Sequence, residues 1–291
     1  MAYDTYINII NEVLAKIGIT DDDVKDVAKQ ALNDVQNEIC QAYNFSWLYS
    51  DSSFITVKPY ETGTVTVTEG SKTVTGVGTT FTSSMVGRKF VCENATYEIS
   101  AFVSTTELTL LTNYAGVGGS FTYKIYQDEY SLASDTEDVL SMRQENYPYK
   151  IEKVGIEVLD RYYPQRTSFG YPYFYSIIGE DDDGYMKVAF YPIPNQARNI
   201  YYRYKKRVTE MTSDSDEPII PLRYRWVLAK GALYITAKHL EMGGDYEREY
   251  RQGIAQLISA DKKNDERIVK GKGVEAEEGN FIGSNYPLLP I

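Results

Sequence analysis

The sequence predicts an α+β fold, in which a helical bundle carries an inserted small all-β barrel or sandwich domain, an additional β-hairpin or meander, and an extended C-terminal tail. Three observations predict it. Apolar residues recur at helical spacing near both ends of the chain, and the stretch 62–126 alternates Thr and Val between Gly-rich turns. The last residues are apolar and contain proline. With 291 residues, 43% of them hydrophobic, the chain can bury a sizeable core.

The first 50 residues are predicted to form a helical hairpin. The apolar stripe of the first helix comprises Tyr6, Ile9, Ile10, Val13, Leu14 and Ile17. Gly18 supplies a stop, and Thr20 resembles an N-cap before three aspartates that favour a helix N-terminus. One face of the second helix, which should fade between Tyr43 and Trp47, carries Val24, Val27, Ala28, Ala31, Val35 and Ile39.

The character of the sequence changes after Ser50, where short strands separated by Gly-rich turns are predicted. Their positions are 54–57, 64–68, 73–75, 89–91, 97–99, 108–110 and 121–126. Because helical segments flank this region, we interpret 53–130 as a β-domain inserted into a helical core.

Helices are expected to return at Asp135, which resembles an N-cap before Val139 and Leu140. A second stripe, ended by Pro164, consists of Ile151, Val154, Val158 and Tyr162. Strands are then predicted at 171–178, 185–191 and 200–205, with turns at 179–184 and 192–197.

Two long helices are predicted in the last third of the chain. Pro221 begins the first, Gly243 and Gly244 end it, and its stripe comprises Leu222, Trp226, Ala229, Leu233, Ala237 and Leu240. The second covers about 245–266, with Tyr246, Tyr250, Ile254, Leu257 and Ile258 on one face. These patterns divide the chain into 1–52, 53–130, 131–267 and a tail at 268–291.

Charge and cysteine content narrow the classes of function. The net charge of −11 makes the chain a poor candidate for gripping a phosphate backbone. Cys40 and Cys92 are predicted to be buried free thiols. The first residues lack the pattern of a signal peptide, and no stretch is long and apolar enough to span a membrane, so we expect folding in a reducing cytoplasm.

Residues that carry catalytic or metal chemistry are scarce. His239 is the only histidine, it lies in a predicted helix, and a structural or surface role is favoured. The acidic run at 180–183 lies between two strands before Gly184, which favours a hairpin turn over a metal site. The basic cluster at 203–207 indicates a solvated face or an inter-subunit surface. We therefore predict no catalytic residue, no cofactor and no metal.

Two features point to protein contacts. The 27 tyrosines suit half-buried interfaces, although good strand formation explains them equally well. The apolar end of the tail either is disordered or docks on a partner, and the exposure of so many apolar side chains favours docking. The docking residues would be Phe281, Ile282, Tyr286, Pro287, Leu288, Leu289 and Ile291.

The order of several motifs resembles the head-to-tail adaptor (connector, head-completion) proteins of tailed bacteriophages, especially short-tailed ones. The motifs are Gly170-Tyr171-Pro172-Tyr173-Phe174-Tyr175, Val188-Ala189-Phe190-Tyr191-Pro192-Ile193-Pro194, Ile200-Tyr201-Tyr202-Arg203-Tyr204-Lys205, Pro218-Ile219-Ile220-Pro221, and the helix with Trp226, Ala229 and Ala232. The N-terminal hairpin with its aromatic patch (Phe45, Trp47, Leu48) and the Gly76-Val77-Gly78-Thr79-Thr80-Phe81 stretch also look like phage structural proteins.

The resemblance implies a virion protein at the head–tail junction, assembled in the host bacterial cytoplasm. It implies a homo-oligomeric ring, typically twelvefold, that binds the portal protein and a downstream tail nozzle, tube or fibre protein, while DNA passes through without sequence-specific binding. The C-terminal tail would reach toward the portal. Our candidates for the subunit interface are Tyr173, Tyr175, Tyr201, Arg203, Tyr204, Arg223 and Arg225.

Two other classes of function remain open at this stage. A tail-associated glycan- or receptor-binding component would use the β-domain and would show exposed aromatic side chains there. A cell-wall hydrolase would need a cleft with two facing carboxylates. The non-enzymatic adaptor is the primary hypothesis.

Overall fold

The computed structural model of the protein describes residues 3–93, 95–146, 149–164 and 167–271, with side chains described as far as Lys262. The helices are α1 (Tyr6–Ile17), α2 (Asp22–Ala42), α3 (Ile156–Tyr162), α4 (Trp226–His239) and α5 (Tyr246–Gly271). Short 3-10 helices lie at Ser46–Leu48, Ser83–Met85 and Leu222–Tyr224.

The described residues also form sixteen strands, and together with the helices these confirm the α+β class. In chain order they are β1 (Tyr49–Ile55), β2 (Thr64–Val67), β3 (Thr73–Val77), β4 (Lys89–Cys92), β5 (Ala95–Ser104), β6 (Glu107–Leu110), β7 (Gly119–Phe121), β8 (Tyr123–Tyr126), β9 (Glu129–Ser131), β10 (Thr136–Gln144), β11 (Lys150–Lys153), β12 (Phe169–Gly170), β13 (Phe174–Glu180), β14 (Met186–Tyr191), β15 (Ile193–Pro194) and β16 (Asn199–Lys206).

The chain divides into two compact units. The helical unit consists of the chain up to Trp47 and from Glu210 onward, and the β unit consists of Leu48–Thr209. The β unit therefore includes both the strands predicted for the inserted domain and those predicted as a separate meander.

The helical unit follows the apolar stripes of its sequence. All six stripe residues of α1 are buried, and α1 ends at Gly18 in the left-handed conformation (φ 76°), where the Gly18 N–H donates to the Leu14 carbonyl. In α2 the predicted stripe is buried except for Val27. Gly231 of α4 lies so close to α2 that a Cβ there would be 2.5 Å from Val35 Cγ1. Among the described residues, no helix is both long and apolar enough to cross a bilayer.

One sheet of the β unit has the strand order β7-β2-β3-β6-β5-β4-β8. Its two edge strands, β7 and β8, are separated in sequence only by Thr122, so the sheet must curl until its edges approach each other. Alternate residues of the strands face one core, which includes Val65, Phe90, Ile99 and Ile125. The predicted small β-domain is thus a barrel-like sheet.

The second sheet of the β unit has the order β1-β16-β10-β11-β13-β14-β9. The β11–β13 pair is parallel, and the other neighbours are antiparallel. Its separate core is rich in tyrosine and includes Tyr130, Tyr175, Tyr202 and Tyr204. Strands β12 and β15 form a small parallel pair beside it.

The helix predicted from Asp135 is wrong, because this segment is strand β10. Two register shifts against β16, at 136–138 and 139–141, each add an extra residue to β10. The buried side chains Thr136, Val139 and Met142 therefore recur every three residues, which resembles helical spacing. Asp135 caps no helix; its carboxylate accepts a hydrogen bond from the Tyr204 hydroxyl.

The second predicted stripe is also only partly helical. Ile151 lies in β11, and α3 begins after Gly155. The two stripe residues within α3, Val158 and Tyr162, are exposed. Only Leu159 of α3 is buried, so this short helix packs on a different face from the one predicted.

Candidate interaction surface

Strand β16 presents two chemically different faces. Ile200, Tyr202 and Tyr204 point into the core of the second sheet. Tyr201 and Arg203 alternate with them, and they lie on the opposite face, half-buried and exposed respectively. The period of two along this strand therefore decides which predicted interface residues can meet a partner.

Cation–aromatic pairs order the outer face of this sheet. The Arg143 guanidinium lies over the Tyr201 ring at 4.4 Å from its centroid, and that of Arg203 lies 5.8 Å from the Tyr49 centroid. We call these four residues the Arg–Tyr face. Exposed pairs of this kind contribute about 0.5–1 kcal/mol each, and they restrict side-chain rotamers before any partner binds.

The register across three strands explains why these side chains meet. Tyr201 lies opposite Arg143 of β10 and Ser53 of β1, while Arg203 lies opposite Asp51 of β1. Arginine and tyrosine are the residue types that carry much of the binding energy in protein interfaces. The arrangement can form a protein contact surface.

Other predicted interface residues are buried within the β unit. Tyr175 is 2% exposed, and burial followed by the charge of Asp138 raises the pKa of its hydroxyl to about 12. Tyr204 is 4% exposed. Both rings fill the core beneath the sheet, whereas Tyr173, just before β13, is exposed.

The two arginines predicted for the interface near α4 also differ. Arg223 is exposed, and its guanidinium lies over the Tyr224 ring at 4.6 Å. Arg225 is buried, and it acts as a clamp inside the helical unit. Its guanidinium donates to the Ile220 carbonyl at 2.9 Å and the Pro218 carbonyl at 3.1 Å, and further to the carbonyls of Tyr3 and Asp4 and the Glu217 carboxylate.

The residues predicted to dock the tail lie outside the described residues. The described chain ends with α5 at Gly271. The docking role of Phe281, Ile282, Tyr286, Pro287, Leu288, Leu289 and Ile291 stays a prediction.

The acidic run after β13 forms the hairpin turn that its sequence indicates. The Asp181 carboxylate accepts hydrogen bonds from the Ser131 hydroxyl and from the N–H groups of Tyr185 and Asp183. These hydrogen bonds lower the pKa of Asp181. Within the described ranges, no three His, Cys, Asp or Glu residues are grouped to hold a metal ion.

Other candidate chemical groups have structural surroundings. His239 is exposed at the C-terminal end of α4, and Cys40 and Cys92 are buried and unbridged. At the start of α5, the carboxylates of Asp245 and Glu247 line a surface groove of about 610 Å³. Each forms an ion pair with an arginine of α5, Asp245 with Arg248 and Glu247 with Arg251.

Aromatic side chains of the barrel region face inward. In the described stretches 53–93 and 95–130, every aromatic ring is buried or half-buried. The large exposed side chains of the barrel are aliphatic, namely Val77, Val86, Val103, Leu111 and Val117. The exposed aromatics that a glycan site would need are not found in this part of the described chain.

The family of the chain follows from a comparison with known protein families. A family model described as "SU10 adaptor protein" matches residues 89–270, which is more than half of the chain. The chain belongs to the SU10 adaptor protein family. This adaptor is therefore a structural protein of a phage virion, from a family of head-to-tail adaptors that interact with portal and tail proteins. The search among curated proteins found no match for the adaptor.

The extent of the match agrees with most of the motifs that indicated the family. The strands β13, β14 and β16, the helix α4 and all but the last residue of α5 lie inside it. The N-terminal hairpin α1–α2 and the Gly76–Phe81 stretch lie outside it. The matched region also contains the Arg–Tyr face apart from Tyr49.

Proposed function

We propose that the adaptor forms a homo-oligomeric ring, twelvefold in symmetry, beneath the portal of a tailed phage. The ring joins the portal to a downstream nozzle, tube or fibre protein, and it lines the conduit through which DNA is retained and then ejected. Membership of the SU10 adaptor family is the observation that carries this proposal.

Contacts between neighbouring subunits would use the accessible members of the predicted interface. These are the exposed Tyr173, Arg203 and Arg223 and the half-buried Tyr201, whose aromatic and guanidinium groups suit a desolvated contact. Tyr175, Tyr204 and Arg225 support those surfaces from inside their own units. Ring neighbours meet through two different patches, so an acidic patch of the next copy would face the arginines.

The charge of the chain suits a conduit that does not hold DNA. With 41 acidic against 30 basic residues, each subunit carries a net charge of −11, and a ring multiplies it. Such a surface repels phosphates instead of releasing their counterions, so DNA would slide through without binding.

The C-terminal end would dock the ring on the portal. Removing 281–291 is expected to abolish attachment to the portal. A matched pair of full-length variants separates side-chain docking from chain length: Leu288→Ser with Leu289→Ser should weaken attachment, and Ser284→Ala with Asn285→Ala should not. Equal attachment by all of these variants would contradict the docking role.

Cryo-electron microscopy of the adaptor mixed with its cognate portal tests the central proposal. A ring seated coaxially on the portal would support it, and counting subunits gives the symmetry. Monomers that ignore the portal would overturn it. A binding assay of the same protein on host cell-surface glycans then addresses the alternative, against which the inward-facing barrel aromatics count.

A further inference from the structure

The two edges of the second sheet differ in how well they are protected. At one edge, β9 has only three residues, and the Gln127 side-chain amide donates to the Glu129 carbonyl. At the other edge, β1 has seven residues, longer than an average strand, with neither proline nor lysine. Its pairing with β16 has no bulge. A long regular edge with Asp51 as its one charge has few of these devices, and such an edge is a template for another strand.

The hydrogen-bonding pattern shows which groups of β1 point outward. The Thr56 N–H donates to the Arg198 carbonyl, so by alternation Phe54, Ser52 and Ser50 bond to β16. The Asn199 carbonyl accepts from the Glu145 N–H, which confirms that odd-numbered residues of β16 face β10 instead.

The outward N–H and C=O groups of β1 are therefore those of Tyr49, Asp51, Ser53 and Ile55. Within the described part of the chain, no strand or side chain pairs with these groups. The free edge ends at Val57, whose N–H donates to the Tyr130 hydroxyl.

We propose that this edge of β1 pairs with β1 of a second copy, antiparallel and about a twofold axis at Ser52. In that register Tyr49 faces Ile55 of the second copy and Asp51 faces Ser53, so every outward N–H meets an outward carbonyl. The pair would form up to eight hydrogen bonds, following the antiparallel ladder rule.

Side chains favour the same register. Ile55 is 62% exposed, and the ring of Tyr49 would cover it across the interface. The single charge of the strand, Asp51, lies opposite Arg203 within its own sheet and meets a neutral serine in the second copy. No like charges face each other directly.

A closed dimer, and not a fibre, follows from the two edges. Because β9 is short and capped, a joined pair of sheets has no second open edge of the β1 kind on which to grow. A rotational ring places copies head to tail, so the twofold pair is not a contact of the ring itself, and we assign it to the free protein. The proposal does not depend on the proposed ring.

Charge at position 53 provides the first test, by sedimentation equilibrium of the full chain. Because of the twofold axis, position 53 of each copy faces Asp51 of the other, so a substitution changes two equivalent contacts. Ser53→Lys would attract Asp51 and tighten the dimer, whereas Ser53→Asp would repel Asp51 and weaken it, each by about two- to thirty-fold in Kd. A lysine on an edge normally weakens strand pairing, so tightening by Ser53→Lys is specific to this register. Ser53→Ala should leave the Kd unchanged.

Cysteine cross-linking provides a second, independent readout. Ser52→Cys places two thiols across the axis, roughly 4.5 Å apart between Cα atoms, within disulfide range. Ile55→Cys places them about 20 Å apart, six residues along the strands. Cys40 and Cys92 are buried and should not interfere. A dimer that oxidises at position 52 and not at 55 supports the pairing. A protein that stays monomeric, forms a ring in isolation, or dimerises without response to either set of variants overturns it.

Discussion

Replacing Arg225 by alanine should destabilise the helical unit far more than replacing an exposed arginine by alanine. The side chain is 6% exposed, and its guanidinium serves four backbone carbonyls and one carboxylate. The Pro218 and Ile220 carbonyls are buried in these contacts, and each buried acceptor left unpaired costs about 1–3 kcal/mol. The Glu217 carboxylate is 69% exposed, so its ion pair adds little. We expect a loss of about 2–6 kcal/mol from these terms.

Urea unfolding followed by helical circular dichroism measures this loss. Arg223→Ala is the matched control, because that arginine is exposed two residues away, and it should change stability by no more than about 0.5 kcal/mol. Arg225→Lys should fall between, since an ammonium cannot reproduce the planar fork. If Arg225→Ala and Arg223→Ala unfold at the same urea concentration, the clamp does not stabilise the unit.

Three further predictions follow from packing, ionisation and surface charge. Gly231→Ala should destabilise the helical unit by about 1–3 kcal/mol, because its Cβ would clash with α2. Gly243→Ala meets nothing within 4 Å and should be neutral in the same urea unfolding experiment. The pKa of Tyr175 is about 12 in the folded protein, against 10 for an exposed phenol. The protonated hydroxyl therefore contributes fully to the free energy of unfolding below pH 10, and this contribution is lost as the pH rises toward 12. Between pH 10 and 12, the free energy of unfolding should therefore fall less steeply for Tyr175→Phe than for the unmodified protein. Equal slopes would show that the Tyr175 hydroxyl is not the cause. Arg203→Glu should weaken assembly on the portal while the fold is retained, whereas Arg161→Glu on α3, outside the Arg–Tyr face, should assemble normally; equal assembly would remove Arg203 from the interface.

Regular patterns in the sequence predicted the regular parts of the fold. The stripe of α1 is buried as its spacing indicates, because a straight helix keeps its period of 3.6. The alternation of β2, with Val65 and Val67 inward, placed the barrel in the same way. Strand β10 was mistaken for a helix because its two bulges changed the burial period, and a bulge depends on the partner strand, which local sequence does not specify.

The candidate interface was predictable only in part. Alternation along β16 was available as a signal, and it would have separated Tyr204 from Tyr201 and Arg203. Burial of Arg225 had no local signal, since its acceptors include the carbonyls of Tyr3 and Asp4, more than 200 residues away in the chain. Backbone carbonyls look alike in any sequence, so such a clamp emerges only when distant segments meet.

The chain enters and leaves the barrel at two positions that are neighbours in space. Tyr60 and Ile125 exchange both backbone hydrogen bonds, which places their Cα atoms about 5.5 Å apart. Insertion or deletion of such a module would take one genetic event, because a short linker can connect the chain at Tyr60 to the chain at Ile125. A shortened chain in which a few glycines replace 61–124 should keep the second sheet, whose hydrophobic cluster is separate from that of the barrel, and loss of its cooperative unfolding would argue otherwise. The barrel is thus a unit that can be removed from the adaptor without interrupting any strand of the second sheet.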